Sequence, residues 1–502
     1  MKVVERVPAP APDIDRSQVF GAERSLIATY IQLYFEHVHP SFPFLDQKHI
    51  ETAALGEHLA QTLASDKSWS ALFYTVLALG SQYNDGGGFQ PSNNISWRFF
   101  STALALFPDL LISKAALTTV QAITAMAIYA STVSSMQFSY VMISEGAKKA
   151  QALGYNRLPT PGDNPRNRAF WVLYCMEKTL TFTTMRGSVI MDSDISSAVP
   201  SSVGGMSGLD NFDWFVAWVR LSRLSSRIYA SLHSVSVRGR SSTYYKTTIS
   251  LLKAELETWR ASIPALIQPD QPIRPHVIRT SQMMRTCVKL HFSYDSTMLH
   301  LERAALQLEG SNTPGSEATT NIMRTARSIL GVTKHIDVQP YTPLWELAGV
   351  PLSALLVLFD LVIDNPTHPD TTANLALIDV GCGYFSHIEY ASEGALPGSI
   401  TSEFSHIARS YVREKNDPAH GTRPSATITS ATILNENLAD SSGLIQPRPA
   451  TADQPPAYNF GPDWNLQDLN SSVFPGTDIL DLFGSSLPGW ENEWVFRTTS
   501  HS

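Results

Sequence analysis

Cysteine is scarce in this chain of 502 residues: there are three, Cys175, Cys287 and Cys382, far apart in sequence. That spacing offers neither a disulfide framework nor a cysteine-based zinc site, and it fits a reducing compartment. Charge is also sparse. Asp, Glu, Lys and Arg make up 16 % of the residues, against ~25 % in ordinary soluble domains, which leaves many positions for a core or for uncharged loops. The best apolar run, Val350 to Ile363, contains Asp360 and falls short of the ~18 residues a bilayer span needs. The opening residues, MKVVERVPAPAPDIDR, lack the apolar stretch of a secretory signal. Spaced runs of alternating β-branched residues, the mark of strands, are missing as well. A basic excess is missing too: 37 Lys and Arg stand against 45 Asp and Glu. Seven of those acids (Asp453, Asp463, Asp468, Asp478, Asp481, Glu491, Glu493) crowd near the C-terminus, so the rest of the chain is almost neutral and offers no obvious phosphate-binding surface.

What the chain does have is helical periodicity over residues 17–412, and the expected fold class is all-α: a large multi-helix domain followed by a disordered C-terminal tail. Helices are expected over Ser17–Val38, Gln47–Leu63, Trp69–Tyr83, Asn93–Phe107, Thr118–Ser131 and Met136–Leu153, the last capped by Gly154. Further on they are expected over Phe212–Leu232, Tyr244–Ile263, Val277–Leu308, Asn321–His335, Trp345–Ile363, Thr371–Ser392 and Ser402–Val412. Residues 1–16 read as a disordered Pro-rich leader, 413–456 as a disordered linker, and 457–502 as an acidic-aromatic segment. The organising stretch is Asn164 to Pro200. Asn164-Pro165 is a helix start, because Asn can cap and Pro loses nothing in the first turn. Ala169 to Met176, AFWVLYCM, carries no charge, and a helix apolar on every side is buried. Arg166 and Arg168 precede this run; Glu177, Lys178 and Arg186 follow, Gly187 is the expected stop, and Asp192-x-Asp194 opens an extended exit.

Four signals bear on chemistry. Asp379-Val380-Gly381-Cys382-Gly383 resembles the glycine-rich loop of S-adenosylmethionine-dependent methyltransferases. Its setting, though, reads as helix rather than strand and turn, so glycines at close packing points are the alternative. His37 and His39 with Asp46 and His49 form a possible metal set in a Pro-bounded turn, where a structural turn is the simpler reading. Glu177 and Lys178, with Arg186, Asp192 and Asp194, are either a catalytic pair or an ion-pair network closing the helix, since a charge beside a buried helix must be paired or reach water. No nucleophile elbow, phosphate loop or zinc-protease motif is present. The acidic tail interleaves its charges with Phe460, Trp464, Phe474, Leu480, Phe483, Trp490 and Trp494. Acids keep such side chains solvated, so they are available to fold into a hydrophobic groove on a coactivator.

The central stretch, NRAFWVLYCMEKTLTFTTMRGSVIMDSDISSAVP, resembles the signature of the fungal-specific transcription factor domain, the middle homology region of fungal zinc-cluster regulators. The matching residues are Arg168, Phe170, Trp171, Tyr174, Glu177, Lys178, Arg186 and Asp194. Three other pieces resemble the same family in the same order: YFEHVHPSFPFLDQKHI, SEGAKKAQALGYNRLP, and the late helix pair from Leu352 to Glu389, which takes in the Asp379–Gly383 string. Arg186-Gly187 stands where the family has Arg-Pro. The family's six-cysteine binuclear zinc cluster has no counterpart, because no cysteine precedes Cys175. The resemblance therefore implies either a truncated product or a regulator without its own DNA-binding domain. No catalytic, cofactor or metal residue is assigned within the chain, and zinc is implied only for the missing cluster. The implied role is transcription regulation in the nucleus, of RNA polymerase II-dependent genes in a metabolic or secondary-metabolite pathway. The tail would recruit coactivators, a homologous zinc-cluster regulator would be a possible dimer partner, and DNA would be contacted only through a missing domain or that partner, with no membrane association. The alternatives are a small-molecule methyltransferase and an adaptor that lacks DNA binding.

Overall fold

The computed structural model describes residues 24–84, 89, 94–133, 136–157, 164–200, 212–278, 280–309, 316–396 and 398–416. The expected leader and acidic segment lie outside them, as does the expected linker from residue 417 on; residues 413–416, expected to be linker, instead complete helix Ser402–Asn416. Among the described residues every regular element is helical and no strand occurs. From Leu117 to Asn416 each α-helix packs on the next one in the chain.

The side chains gather into three cores. The first takes residues from Tyr30 to Val219. The second joins Phe182 and the helices at Trp214–Ile228 and Ser242–Ala261 to one side of the long helix Ser281–Glu309. The third is built on the other side of that long helix, by helices at Glu317–Val332, Val350–Asp364, Thr371–Ala391 and Ser402–Asn416. At the heart of the first core, helix Lys67–Asn84 is buried continuously from Trp69 to Gln82. Helix Arg24–Leu33 lies against it so closely that a Cβ at Gly80 would sit 1.9 Å from the Tyr30 carbonyl oxygen. Only glycine allows that backbone approach.

Several boundaries differ from expectation. The helix expected over Gln47–Leu63 is two, Gln47–Ala54 and Leu59–Ser65, parted at Gly56, where glycine weakens helix continuity. The expected Asn93–Phe107 helix spans Ile95–Leu104 and is followed by a short helix, Phe107–Ile112. Three five-residue π turns, Tyr34–Val38, Tyr229–His233 and Trp345–Gly349, were not foreseen. The third has a local cause. Pro351 has no N–H to give the Leu347 carbonyl four residues back; the Val350 N–H bonds instead to Trp345 O, and the Tyr384 hydroxyl donates to Leu347 O at 2.8 Å.

With that turn the apolar run reaches twenty residues, Trp345–Asp364, which corrects the expectation that it is too short to span a bilayer; 78 % of it is buried inside the protein, the place of a core helix. A second stretch, Ile95–Ile112, passes the same length and composition test but is interrupted between two helices.

Candidate functional site

The signature helix, Pro165–Thr184, begins as its sequence dictates: Asn164 Oδ1 accepts from the Arg166 N–H at 2.9 Å, with Pro165 at the first position. Every residue from Asn167 to Lys178 is buried, and Phe170, Trp171, Leu173 and Tyr174 have no exposure. The helix ends at Met185, not Gly187. Met185 adopts the left-handed conformation (φ 52°), and Arg186 N–H reaches back to Thr181 O at 3.0 Å. This is the Schellman arrangement, in which glycine is the usual residue.

The segment after the helix folds back as a strap, held by polar groups that the helix presents. Glu177 Oε1 accepts from the Val189 N–H at 2.8 Å, and Oε2 accepts from Ser188 Oγ at 2.9 Å. Lys178 Nζ donates to Ser188 Oγ and to Ile190 O, both at 2.6 Å, and lies 3.7 Å from Glu177 Oε2. Burial pushes the Glu177 carboxyl above its usual range, while the Lys178 charge and the bonds from Ser188 and Val189 pull it back. Further along, Tyr174 OH donates to Asp192 Oδ1 at 2.7 Å, and Trp171 Nε1 and Asn167 Nδ2 donate to Ala198 O at 2.9 and 3.0 Å. Asp194 contributes its carbonyl, which accepts from Asn156 Nδ2 at 2.8 Å. Arg186 takes no part in the Glu177–Lys178 cluster and instead covers the Tyr140 ring at 5.1 Å. Arg168 is buried, and its charge helps to lower the His39 imidazole, for which burial is the larger cause.

The remaining sequence signals separate in space. His39 Nε2 meets Leu45 O at 3.0 Å, His37 stacks on Tyr83, Asp46 caps the next helix through the His49 N–H, and His49 faces Trp69. Among the described residues no group of three or more His, Cys, Asp or Glu side chains is placed to hold a metal. Cys175, Cys287 and Cys382 are buried, free, and distributed one to each core. Burial raises all three thiols, Cys287 to about 12, so none is a ready thiolate ligand and they do not fit the family's zinc cluster. The glycine-rich string is interior to helix Thr371–Ala391: a Cβ at Gly381 would touch Leu355 and Leu330, and Asp379 is bound by Ser405 and Arg409 of the last helix. No strand precedes it, so the cofactor-loop reading is overturned.

A cavity of about 50 Å³ opens at the far end of the signature helix. Thr179, Phe182 and Thr183 face Ser222 and Ser225 across it, and the long helix adds Ser293, Ser296, Thr297 and His300. Ser293, Ser296, Thr297 and His300 share one face of the long helix at helical spacing. Burial lowers His300 to about 3, so its imidazole is neutral at pH 7. Thr183, Ser225 and Thr297 donate to main-chain carbonyls of their own helices. No hydroxyl there is paired with a base, so the lining suits binding rather than nucleophilic chemistry.

The family model for the fungal specific transcription factor domain matches residues 31–261. An ABC-transporter-regulating transcription factor of Aspergillus oryzae is 22 % identical over 469 residues, covering 83 % of this chain and 52 % of the relative. A protein of the same description from Aspergillus fumigatus is 21 % identical, covering 78 % of this chain and 47 % of the relative. The Fusaridione A cluster transcription factor of Fusarium heterosporum is 22 % identical over 481 residues, covering 90 % and 87 %. The chain thus spans about half the length of the first two. No solved structure gives a significant match.

Proposed function

We propose, from the match of residues 31–261 to the fungal specific transcription factor domain and the likeness to fungal transcription factors, that the chain is a transcription regulator of that family rather than an enzyme, and that it is an activator of RNA polymerase II-dependent genes in a transport, metabolic or secondary-metabolite pathway. Such a role implies work in the nucleus. The observation that supports the activator reading is the composition of residues 457–502, where acids alternate with bulky apolar side chains. The helical body carries regulation, and the tail recruits coactivators by folding into an apolar groove, its acids keeping it soluble until then. The named pathways of relatives, ABC transporters and a Fusaridione A cluster, motivate the choice of target class. DNA contact comes from a zinc-cluster segment joined to this chain or from a homologous partner paired with it.

The test is a reporter driven by residues 450–502 fused to a heterologous DNA-binding domain. The fusion activates transcription, and changing Trp464, Phe483, Trp490 and Trp494 together to Ala abolishes it. A silent fusion, or one indifferent to the four substitutions, refutes the activator reading.

A further inference from the structure

Between residues 234 and 254 the chain carries Arg238, Arg240, Lys246 and Lys253 and no acid. The densest part, Arg238 to Thr243, links the short turn Val235–Val237 to helix Ser242–Ala261. Both of its ends are anchored. Val237 is buried and its carbonyl accepts from the Tyr245 hydroxyl at 2.6 Å, and Ser241 Oγ caps the helix, accepting from the Tyr244 N–H at 3.2 Å. From Arg238 to Thr243 every residue is exposed. Gly239 takes φ 78°, which glycine adopts without strain. The bonds that hold this turn are long, Arg238 N–H to Val235 O and Arg240 N–H to Val237 O, both at 3.3 Å.

A serine or threonine three residues after an arginine is the pattern a basophilic protein kinase selects, because acidic groups in its substrate groove receive the cation and repel acidic neighbours. The described residues hold four such pairs: Arg98 with Ser101, Arg223 with Ser226, Arg238 with Ser241, and Arg240 with Thr243. The fold closes the first two. Both lie inside helices, Ile95–Leu104 and Trp214–Ile228, where the backbone cannot extend along a kinase groove, and Ser101 Oγ donates to Arg98 O at 3.0 Å. Thr243 is likewise in the first turn of a helix. Of the four acceptors, Ser241 stands outside helix, on extended backbone (φ −65°, ψ 152°), with Arg238 three residues before it and Arg240 beside it.

We propose that Ser241 is a phosphorylation site for a basophilic serine/threonine kinase. Ser241 Oγ attacks the γ-phosphorus of the ATP held by the kinase. The hydroxyl proton passes to the kinase's base, the bond from the γ-phosphorus to its bridging oxygen breaks, and ADP leaves. The product carries a charge of about −1.5 to −2, in a stretch whose own charges are all basic. It also replaces a neutral cap by a charged one at the positive end of helix Ser242–Ala261. The arginines that recruit the kinase are then available to hold its product, which orders the turn from Arg238 to Ser241. The claim does not rest on the activator reading.

The experiment incubates the full chain with Mg-ATP and the catalytic subunit of cAMP-dependent protein kinase, and in parallel with casein kinase, which selects acidic surroundings. Mass spectrometry reads the position and rate of labelling, and thermal melting reads stability. The basophilic kinase labels Ser241 of the folded chain and casein kinase does not. Arg238→Ala slows labelling of Ser241 by about tenfold, the worth of one charge-assisted contact with the kinase groove, and leaves the melting temperature of the unmodified chain unchanged. The labelled wild-type chain melts higher than the unlabelled one. Ser241→Asn, which keeps a capping side chain, takes no label at that position and loses the kinase-dependent rise. The proposal is overturned if Ser241 of the folded chain stays unlabelled, whether or not other positions are labelled. It is equally overturned if Arg238→Ala is labelled at Ser241 as fast as the wild type, or if Ser241→Asn shows the same melting rise.

Discussion

Two buried charge clusters in this molecule are built from the same side-chain types and are finished differently. At Glu177–Lys178 each carboxylate oxygen accepts a hydrogen bond, and the ammonium donates two and faces its counter-charge, all within a strap fourteen residues long or less in sequence. At Arg285–Lys289–Glu346 the groups come from distant segments, the one ion pair is 3.6 Å long, and the guanidinium is left on aromatic faces. A closed cluster fixes one short segment in place. An open one, spread over distant segments, ties them together more loosely. Burial raises both carboxyls, Glu177 and Glu346, and in both the neighbouring cation offsets it; the two differ in how completely their hydrogen bonds are made rather than in charge.

That contrast can be broken at several points. The largest effect is expected at the closed cluster. Glu177→Leu strands Lys178 and the Val189 N–H in the core and lowers unfolding free energy by about 3–5 kcal/mol, measured by urea denaturation. Asp295 shows what burial does to a carboxyl with no cation in contact: it accepts from Ser328 Oγ at 2.8 Å, and burial lifts it to about 8. Because the folded protein holds this proton more tightly than the unfolded chain, its contribution is complete below the unfolded value of ~3.9 and is lost as pH rises through about 8. Asp295→Asn therefore flattens the fall in stability between pH 5 and 8, gaining on the order of 2 kcal/mol at the upper end. At the open cluster Glu346→Gln is milder than Glu177→Leu, about 1–2 kcal/mol, because the partner Lys289 reaches the rim. The smallest change is at the end of the signature helix: Met185→Gly relieves the left-handed strain and raises the melting temperature slightly, by up to about 1 kcal/mol of stability.

The helical body was legible because its signals are local. AFWVLYCM announces a buried helix, Asn164-Pro165 announces its start, and Gly154 with φ 73° ends the helix before it. The π turns were not legible, since one extra residue per turn leaves no mark on a 3.6-residue period; only Pro351, whose absent N–H frees the Leu347 carbonyl, hints at one. The exit turn misled for a related reason. Gly187 looked like the cap, but the hydrogen bond from Arg186 to Thr181 places the left-handed residue at Met185. Asp379–Gly383 misled because five residues carry a loop pattern without the strand that gives it meaning. The cavity beside the signature helix could not be found from spacing alone, because it draws its lining from segments scattered between Thr179 and Ser353.

The measurement that bears most directly on the contrast is paired urea unfolding of Lys178→Met and Arg285→Met. Replacing Lys178 leaves Glu177 without its cation in the core and costs about 3 kcal/mol or more, whereas replacing Arg285 removes a cation that acts on Glu346 only at longer range, with Lys289 still in place, and changes stability by less than about 1 kcal/mol. Equal losses from the two substitutions would contradict the division of these clusters into a closed clasp and an open cluster.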